Sequence, residues 1–234
     1  MHSVLIVIQA RSGSKRLPGK SLTMIDDKTM VGHVLDAAYS AARYIQNYKV
    51  DPPVHASVVL AVPTGDPLVE AFSGNLIVEG LENDVLSRFE TAYKKYHPDY
   101  IVRITGDCPL IIPTIISKCV FCSIRNDLDY CSNAFEDLRT FIDGFDVEVF
   151  SKRAAEWLFS NAISAGDREH VTVHLRKRGP EWARMGALIA HVDLGDIKLS
   201  VDTQEDLENV RKLKVSLGEK ITKAKERGYG VYRF

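Results

Sequence analysis

A short loop after the first apolar run of the chain concentrates side chains that suit an anion. Four cations fall within ten residues, with small residues between them: Arg11, Lys15, Arg16 and Lys20, with Ser12, Gly13 and Ser14. Glycine lets the backbone come close to a ligand, successive N–H groups can form a concave nest, and the cations neutralise phosphate charge. This composition favours a triphosphate site over an ordinary solvated basic loop.

The end of this loop imitates a different phosphate-binding motif. Gly19, Lys20 and Ser21 match the last residues of a Walker A loop. A Walker A loop has its first glycine five positions before the second, and that position holds Ser14. Pro18 also removes a backbone donor beside Gly19. The sequence therefore argues against a P-loop kinase.

Two aspartates, distant in sequence, suggest metal chemistry. Asp107 follows the apolar run Tyr100–Ile104, and Asp202 precedes a segment with helical periodicity. Mg²⁺ takes one or two protein carboxylates and completes its shell with phosphate oxygens and water, so a pair of acids is expected. Asp202 has an alternative interpretation, as part of a helix N-terminus beside the capping box of Thr203 and Asp206.

The apolar pattern outlines the elements that must position these residues. The run Ser3–Gln9 has too few polar positions for a half-exposed strand, so we predict a strand covered on both faces. Further strands are predicted over Val54–Val62, Leu76–Val78 and Tyr100–Ile104, with helices that begin near Met30 and Val85. This alternation predicts βαβ units and a largely parallel sheet, with a ligand crevice at the carboxyl ends of the strands.

The second half of the chain is less regular. We predict strands over Phe145–Phe150 and Ala187–His191, and helices over Ala154–Phe159 and His170–Arg178. Residues 129–161 interrupt the strand–helix alternation. We expect them to form a small inserted arm that contacts an acceptor or a second subunit.

The basic loop belongs to a longer pattern. The string A-R-x-x-S-x-R-x-P-x-K, formed by residues 10–20, resembles the signature of CMP-sugar synthetases, the acylneuraminate and 3-deoxy-octulosonate cytidylyltransferases. Within that superfamily the chain is most similar to the spore-coat polysaccharide cytidylyltransferase-like branch, whose pattern continues through RITGDCPLI, DGFDVEVF, DREHVT and SVDTQEDLENVRKL. The resemblance implies a Rossmann-like three-layer α/β/α nucleotidyltransferase fold, GT-A-like, with a mostly parallel mixed sheet and one domain over residues 1–234.

The resemblance also implies a reaction. It is the transfer of CMP from CTP to a small anionic acceptor, a sugar acid, a sugar phosphate or a phosphonate, with release of pyrophosphate. Asp107 and Asp202 would hold the catalytic Mg²⁺, and Asp107 would act with Arg11, Arg16 and Lys20 in stabilising charge on the phosphates. An acceptor oxygen would attack the α-phosphorus in line, without a covalent enzyme intermediate.

Several residues are candidates for nucleotide binding. The segment NDVLSRF resembles the family's D-V-L-x-R segment and nominates Asp84 and Arg88, although both fit equally well as solvated ends of an amphipathic helix. Ala61 is expected to pack under the base. With the loop, the full expected set is Ala10, Arg11, Ser12, Gly13, Ser14, Lys15, Arg16, Lys20, Ala61, Asp84 and Arg88.

Two later motifs offer candidates for acceptor binding. The string FDVEVF puts Asp146 and Glu148 on one face of a strand. The string DREHVT supplies Arg168 and His170, and an arginine fork suits a carboxylate or phosphonate. We expect these four residues to bind the acceptor.

Two other functions stay open. Asp127 and Asp129 form a D-x-D string, the metal motif of many nucleotide-sugar-dependent glycosyltransferases. They follow a predicted helix end, so a turn is the simpler interpretation. A catalytically silent nucleotide-binding protein would bind CTP without turnover, and the pair Asp107 and Asp202 argues against it.

Composition limits the partners and the location. The formal charge of -1, from 30 basic and 31 acidic residues, gives no global attraction to nucleic acid or to a membrane surface. The apolar runs fall below the roughly 18 residues that span a bilayer, and the start of the chain lacks the basic n-region of a signal peptide. We expect a cytoplasmic protein, and the resemblance implies a homodimer.

Overall fold

The computed structural model describes residues 1–226 and centres on a seven-stranded sheet. Its strands are β1 (His2–Gln9), β4 (Val54–Pro63), β5 (Ile77–Gly80), β6 (Tyr100–Thr105), β7 (Tyr130–Ser132), β8 (Glu148–Ser151) and β9 (Met185–Ala187). A separate two-stranded ladder joins β2 (Met24–Ile25) to β3 (Lys28–Thr29). The helices are α1 (Met30–Asn47), α2 (Leu68–Ala71), α3 (Val85–Tyr96), α4 (Pro113–Arg125), α5 (Lys152–Asn161), α6 (Ala165–Glu169), α7 (Val173–Arg178) and α8 (Gln204–Glu226).

The strand order is β5-β4-β1-β6-β8-β7-β9. The four strands β5, β4, β1 and β6 run parallel, β8 is antiparallel to both β6 and β7, and β9 returns parallel to β7. Helices cover both faces of the sheet. The predicted α/β fold with a mostly parallel mixed sheet is therefore confirmed.

Strand β1 is covered on both faces, which explains its nearly continuous apolar sequence. Val4, Ile6 and Ile8 pack in one core with α1 and α4, while Leu5 and Val7 pack in a second core with α3 and α5. Removing both faces of a strand from water is a main stabilising contribution of such a sheet. The carboxyl end of β1 is thereby held rigidly where the basic loop begins.

Three predictions for the second half are corrected by the structure. The strand expected over Ala187–His191 ends at Ala187, because its partner β7 has only three residues and ends at Ser132. The helix expected over His170–Arg178 begins at Val173, because Val171 has φ 57°, a left-handed conformation that interrupts a right-handed helix. The strand expected over Phe145–Phe150 begins at Glu148, where pairing with β6 starts.

The segment 129–161 lies partly within the main sheet. It supplies β7, β8 and α5, and the stretch that leaves the sheet is residues 133–147, with a 3-10 turn at Glu136–Leu138. Contact of this stretch with an acceptor or a second subunit stays a prediction. Within residues 1–226, no helix combines the length and the apolar character needed to cross a bilayer.

Candidate active site

The loop after β1 and the turn after β6 meet at the carboxyl ends of these neighbouring strands. Gln9 is paired with Thr105 in the sheet, and the Gly106 N–H donates to the Gln9 carbonyl at 2.8 Å. A Cβ on Gly106 would lie 2.8 Å from the Ala10 Cβ, so only glycine allows this approach. The close packing fixes the start of the basic loop against the turn that carries Asp107.

The two aspartates meet around a single ammonium group. The Lys20 Nζ lies 3.0 Å from Asp107 Oδ2 and 3.1 Å from Asp202 Oδ1, and it also donates to the Val201 carbonyl at 2.7 Å. The Lys20 side chain is only 12% exposed. Arg16 adds a second cation, with its Nη2 2.8 Å from Asp202 Oδ1. The basic loop and the two distant acids therefore form one cluster.

The helix cap after Asp202 leaves the Asp202 carboxylate available to this cluster. Asp206 Oδ2 accepts from the backbone N–H groups of Asp202 and Thr203, both at 2.9 Å, and Thr203 Oγ1 accepts from the Asp206 N–H at 3.2 Å. The capping box thus consists of Thr203 and Asp206. The Val201 N–H donates to the Asp107 carbonyl at 2.9 Å, which ties the two acidic segments together.

The electrostatic environment favours the ionised form of Asp107. Burial would raise the pKa of its carboxyl, but the Lys20 ammonium and hydrogen bonds from Thr105 and Lys20 outweigh burial and lower the pKa. Asp107 is therefore a carboxylate at neutral pH, the form that binds a cation. In this structure the cation that both acids face is the Lys20 ammonium, since each directs an oxygen at it. Among the described residues, no group of three or more His, Cys, Asp or Glu is arranged to hold a metal.

A cavity of about 400 Å³ opens above this cluster. Most of the expected nucleotide-binding residues line it: Ala10, Arg11, Ser14, Lys15, Arg16, Lys20 and Arg88. Ser12 lies outside its wall, where its N–H and Oγ both donate to Asp66 Oδ2 at 2.8 and 3.0 Å. Gly13 lies beside Glu82, whose carboxylate also pairs with Arg11 at 3.8 Å. Ser12 and Gly13 therefore shape the loop from outside the cavity wall.

Arg88 is a buried guanidinium at the wall of the cavity. The residue is 1% exposed, and its Nη1 donates to the carbonyls of Ala10 and Ala61, both at 3.2 Å. Within residues 1–226 no carboxylate lies within ion-pair distance of Arg88, and its Nε has no hydrogen-bond partner. Burial, followed by the nearby charge of Arg11, lowers the pKa of Arg88 to about 10. Ala61 is fully buried and contributes its carbonyl.

Asp84 and Arg168 lie together outside this cavity. Asp84 caps α3 by accepting from the Ser87 N–H at 2.9 Å, and its second oxygen accepts from Arg168 Nε at 2.7 Å. Both residues line a separate cavity of about 390 Å³ beside α6. Asp84 therefore caps the helix that carries Arg88. Its side chain does not line the main cavity, so its geometry does not provide direct contact with a nucleotide there.

The other acceptor candidates also lie outside the main cavity. Glu148 is 5% exposed, and its carboxylate is engaged with Arg103, Tyr130 and Thr172, so the structure offers no support for the expected direct contact with an acceptor. Asp146 makes a bidentate pair with Arg139 at 2.7 and 2.9 Å.

His170 ends α6 and is exposed, whereas its neighbour Glu169 lines the cavity. Six lining residues were not among those expected from the sequence: Gln9, Ser21, Val85, Thr105, Gly106 and Glu169. Gln9 and Thr105 carried a usable signal, because each is a polar residue at the carboxyl end of a buried strand.

The D-x-D string has a structural explanation. Asp129 accepts from Ser151 Oγ at 2.9 Å, Arg153 Nε at 3.1 Å and the Arg184 N–H at 3.0 Å. Asp127 has φ 49° and pairs with Arg184 at 3.0 Å on the surface. Neither carboxylate lines the main cavity. The arrangement agrees with a turn and offers no support for a glycosyltransferase metal site.

Comparisons with known proteins agree with this architecture. The sequence model described as "Cytidylyltransferase" matches residues 5–227. The spore coat polysaccharide biosynthesis protein SpsF of Bacillus subtilis is 28% identical, with 94% of this chain and 90% of that protein covered. The 3-deoxy-manno-octulosonate cytidylyltransferase of Solibacter usitatus is 29% identical, with 91% and 94% covered.

Solved structures give the same result. A cytidylyltransferase from Leptospira borgpetersenii superposes with a TM-score of 0.76 at 28% identity, covering 98% of this chain and 99% of that one. Rv0371C from Mycobacterium tuberculosis, solved as a complex with manganese, shares the fold at a TM-score of 0.58 and 21% identity, covering 91% and 99%. The resemblance seen in the sequence is confirmed, and the chain belongs to the cytidylyltransferase family of nucleotidyltransferases.

Proposed function

We propose that this chain transfers CMP from CTP to a small anionic acceptor and releases pyrophosphate, with Mg²⁺ as cofactor. One observation carries the proposal: Lys20 and Arg16 of the basic loop contact the pair Asp107 and Asp202 beside one cavity. Cations suited to phosphates and carboxylates suited to a divalent ion thus border the same volume. A triphosphate with its bound metal needs both kinds of group together.

Asp107 and Asp202 would hold the metal. Two carboxylate oxygens directed at one cation suit Mg²⁺, because this ion keeps a small number of protein ligands beside phosphate oxygens and water. The manganese complex of a protein with the same fold adds support for a divalent ion. When bound, Mg²⁺ supplies charge neutralisation and polarisation of the phosphates.

The loop cations would bind the triphosphate and stabilise charge during transfer. Arg11, Arg16 and Lys20 reach the cavity from three positions of the loop, so they can contact different phosphates. The acceptor hydroxyl attacks the α-phosphorus and loses its proton, the new P–O bond forms, and the α–β anhydride bond breaks opposite to it. Pyrophosphate carries away the electron pair. Because the attack is direct, positioning and electrostatic stabilisation are sufficient, and no enzyme nucleophile is required.

Arg88 would contact the nucleoside. Its guanidinium is held by the carbonyls of Ala10 and Ala61, on the side of β1 that faces β4. Its remaining donors have no carboxylate partner within the described residues, which suits a carbonyl oxygen of a pyrimidine. Asp84 would contribute indirectly by capping α3, the helix that carries Arg88.

A sugar acid is the best-supported class of acceptor. The 3-deoxy-manno-octulosonate cytidylyltransferase of Solibacter usitatus carries such an acceptor in its name, and the two chains align over nearly their whole lengths. Arg168 and His170 flank Glu169, a residue of the cavity wall. We place the acceptor against the part of the cavity wall that includes Glu169.

The test is nucleotide and acceptor selection by the purified protein. Pyrophosphate release is measured with CTP, UTP, ATP and GTP, each with Mg²⁺ and a panel of 3-deoxy-manno-octulosonate, an acylneuraminate, a hexose 1-phosphate and an alkylphosphonate. We expect CTP to be preferred and mass spectrometry to detect a CMP adduct with a sugar acid. Preference for UTP or ATP contradicts the proposal, and CTP binding without any adduct favours a silent nucleotide-binding protein.

Three further properties belong to the same proposal. Residues 1–234 would act as one nucleotidyltransferase domain, located in the cytoplasm. The chain would form a homodimer, and exposed apolar residues after β9 offer surface for it, namely Ile189, Val192, Leu194 and Ile197. Light scattering on the purified protein tests the dimer, because a monomer mass at micromolar concentration contradicts it.

A further inference from the structure

A buried charge network lies on the face of the sheet that α3 and α5 cover. Glu148 is its centre: its carboxylate accepts from Arg103 Nη1 and Thr172 Oγ1, and from the Tyr130 hydroxyl at 2.6 Å. Arg176 Nε lies 3.8 Å away. Burial would raise the pKa of Glu148, but the charges of Arg103 and Arg176 outweigh burial and lower it. An ionised pair in this position costs desolvation, so stability alone is a weak reason for it.

One member of the network reaches the cavity. Arg103 Nε donates to Gln9 Oε1 at 3.0 Å, and Gln9 lines the cavity. An arginine can only donate, so the atom of the Gln9 amide that faces Arg103 must be the oxygen. The Gln9 NH2 group is therefore on the other side of the amide, and within residues 1–226 it makes no hydrogen bond. Glu148 thus pairs with Arg103, and Arg103 hydrogen-bonds to Gln9. The two N–H donors of the Gln9 amide remain available at the cavity wall.

The Gln9 amide and Arg88, the residue proposed to contact the nucleoside, lie on opposite sides of β1. Arg88 is bonded to the ends of β1 and β4, whereas the Gln9 amide is bonded toward β6 and β8, on the opposite side of β1. Thr105, also on β6, lines the cavity here. The Gln9 amide therefore borders the cavity on the side away from Arg88, the residue to which the proposed function gives the nucleoside.

We propose that Gln9 is a specificity-determining residue whose NH2 group donates to an oxygen of the anionic acceptor, with Arg103 and Glu148 as the residues that position it. The inference rests on the proposed function and extends it. A carboxylate or hydroxyl oxygen of a sugar acid accepts such a bond, and a neutral amide selects an oxygen without adding charge. The fixed orientation of the amide excludes a group that offers only a donor.

Gln9→Glu tests the proposal with a minimal change of shape. The variant keeps an oxygen for Arg103 and replaces the NH2 group with a second oxygen, which cannot donate and repels an anion. We expect the KM for the acceptor that the unmodified protein uses best in the panel to rise about tenfold or more. The thermal midpoint should stay unchanged, whereas the Kd for CTP is compared in a neutral variant of Gln9, because a new carboxylate in this cavity also repels the triphosphate. Asn47→Asp, the same change of amide to carboxylate at an exposed position of α1 outside the cavity, is the matched control.

Two more variants are tested, so that the conclusion does not depend on whether one variant is destabilised. Gln9→Met removes both donors without adding charge, and it should also raise the acceptor KM. Glu148→Gln loosens Arg103 from a distance, and it should raise the acceptor KM while the CTP Kd is unchanged, a split that a general loss of stability does not produce.

An unchanged acceptor KM in both Gln9 variants overturns the inference while the proposed function stands. A large rise in the CTP Kd of the neutral variant Gln9→Met instead shows a nucleotide contact and also overturns it. If the unmodified protein transfers CMP to no member of the panel, the proposed function fails, and this inference fails with it.

Discussion

Replacing Lys20 with methionine should make the protein bind a divalent cation more tightly in the absence of nucleotide. The Lys20 ammonium lies 3.0 Å from Asp107 and 3.1 Å from Asp202. A divalent ion that uses the same oxygens must first displace this cation. When CTP is present, its phosphates offer the ammonium an alternative partner, so competition with the metal should be relieved.

The size of the effect follows from the two ion pairs. At about 3 Å and an effective dielectric constant of about 20, Coulomb's law gives about 5 kcal/mol for each pair. The Asp107 and Asp202 side chains are 30% and 23% exposed, and a displaced lysine regains its hydration, so most of this energy is compensated. Pairs accessible to water contribute up to about 1 kcal/mol each, which gives roughly 2 kcal/mol in total and about 30-fold tighter metal binding.

The assay is titration of Mn²⁺ into nucleotide-free protein, followed by electron paramagnetic resonance of the free ion. Lys15→Met is the matched control, because Lys15 lies in the same loop and makes no ion pair with a residue in the range 1–226. Equal Mn²⁺ affinity in the Lys20→Met variant and the unmodified protein would refute the competition. Higher affinity in both variants would point to a general effect of loop charge instead.

Other expectations can be checked with single substitutions. Arg11→Ala and Asp107→Asn should each lower kcat about 100-fold or more with the thermal midpoint intact, since each removes electrostatic stabilisation of the transferring phosphate; near-normal turnover in either would remove that residue from the site. Asp127→Asn should leave turnover and Mn²⁺ binding unchanged, because this carboxylate lies on the surface outside the cavity; loss of metal binding would revive the glycosyltransferase alternative. Asp206→Asn should lower the free energy of unfolding by roughly 1 kcal/mol at neutral pH.

The Asp206 effect should depend on pH. Burial alone would raise the pKa of Asp206, but Lys198 and the backbone N–H groups of Asp202 and Thr203 lower it to about 2. A depressed pKa stabilises the fold fully above the unfolded value of about 4. The difference between variant and unmodified protein should therefore persist at neutral pH and close as the pH falls toward about 2. Denaturant unfolding at several pH values measures this, and a constant difference would contradict the pKa argument.

The parallel half of the fold and the phosphate loop were predictable because their signals are local. Strand β1 lies between two helical layers and must therefore be apolar on both faces. Its nearly continuous run of apolar residues indicates this without information from distant segments. The cations of the loop follow one another in sequence. The position of the ligand crevice then follows from the rule for parallel strands, which brings residues after Gln9 and Ile104 together.

The proposed acceptor residues were less predictable. Alternation of polar and apolar residues along a strand does not show whether its polar face contacts solvent, a ligand or other side chains. From the sequence, Glu148 fits either a solvent-exposed position or a binding position. The groups that bury it come from β6, β7 and the residue before α7. The polar character of Gln9 at the end of β1 is visible in the sequence, but the orientation of its amide depends on Arg103 of a neighbouring strand. The break at Val171 depends on a backbone conformation that no local pattern indicates for valine.

The helix cap that leaves Asp202 free has a consequence for biosynthesis. Asp202 follows every strand of the described fold and directly precedes α8, so its acid is synthesised after the whole sheet. A nascent chain can therefore form the whole sheet while its cleft still lacks Asp202, one of the residues that line it. The cleft is completed only when this last segment has emerged and Val201, Leu207 and Val210 pack against Ile25 and Met30.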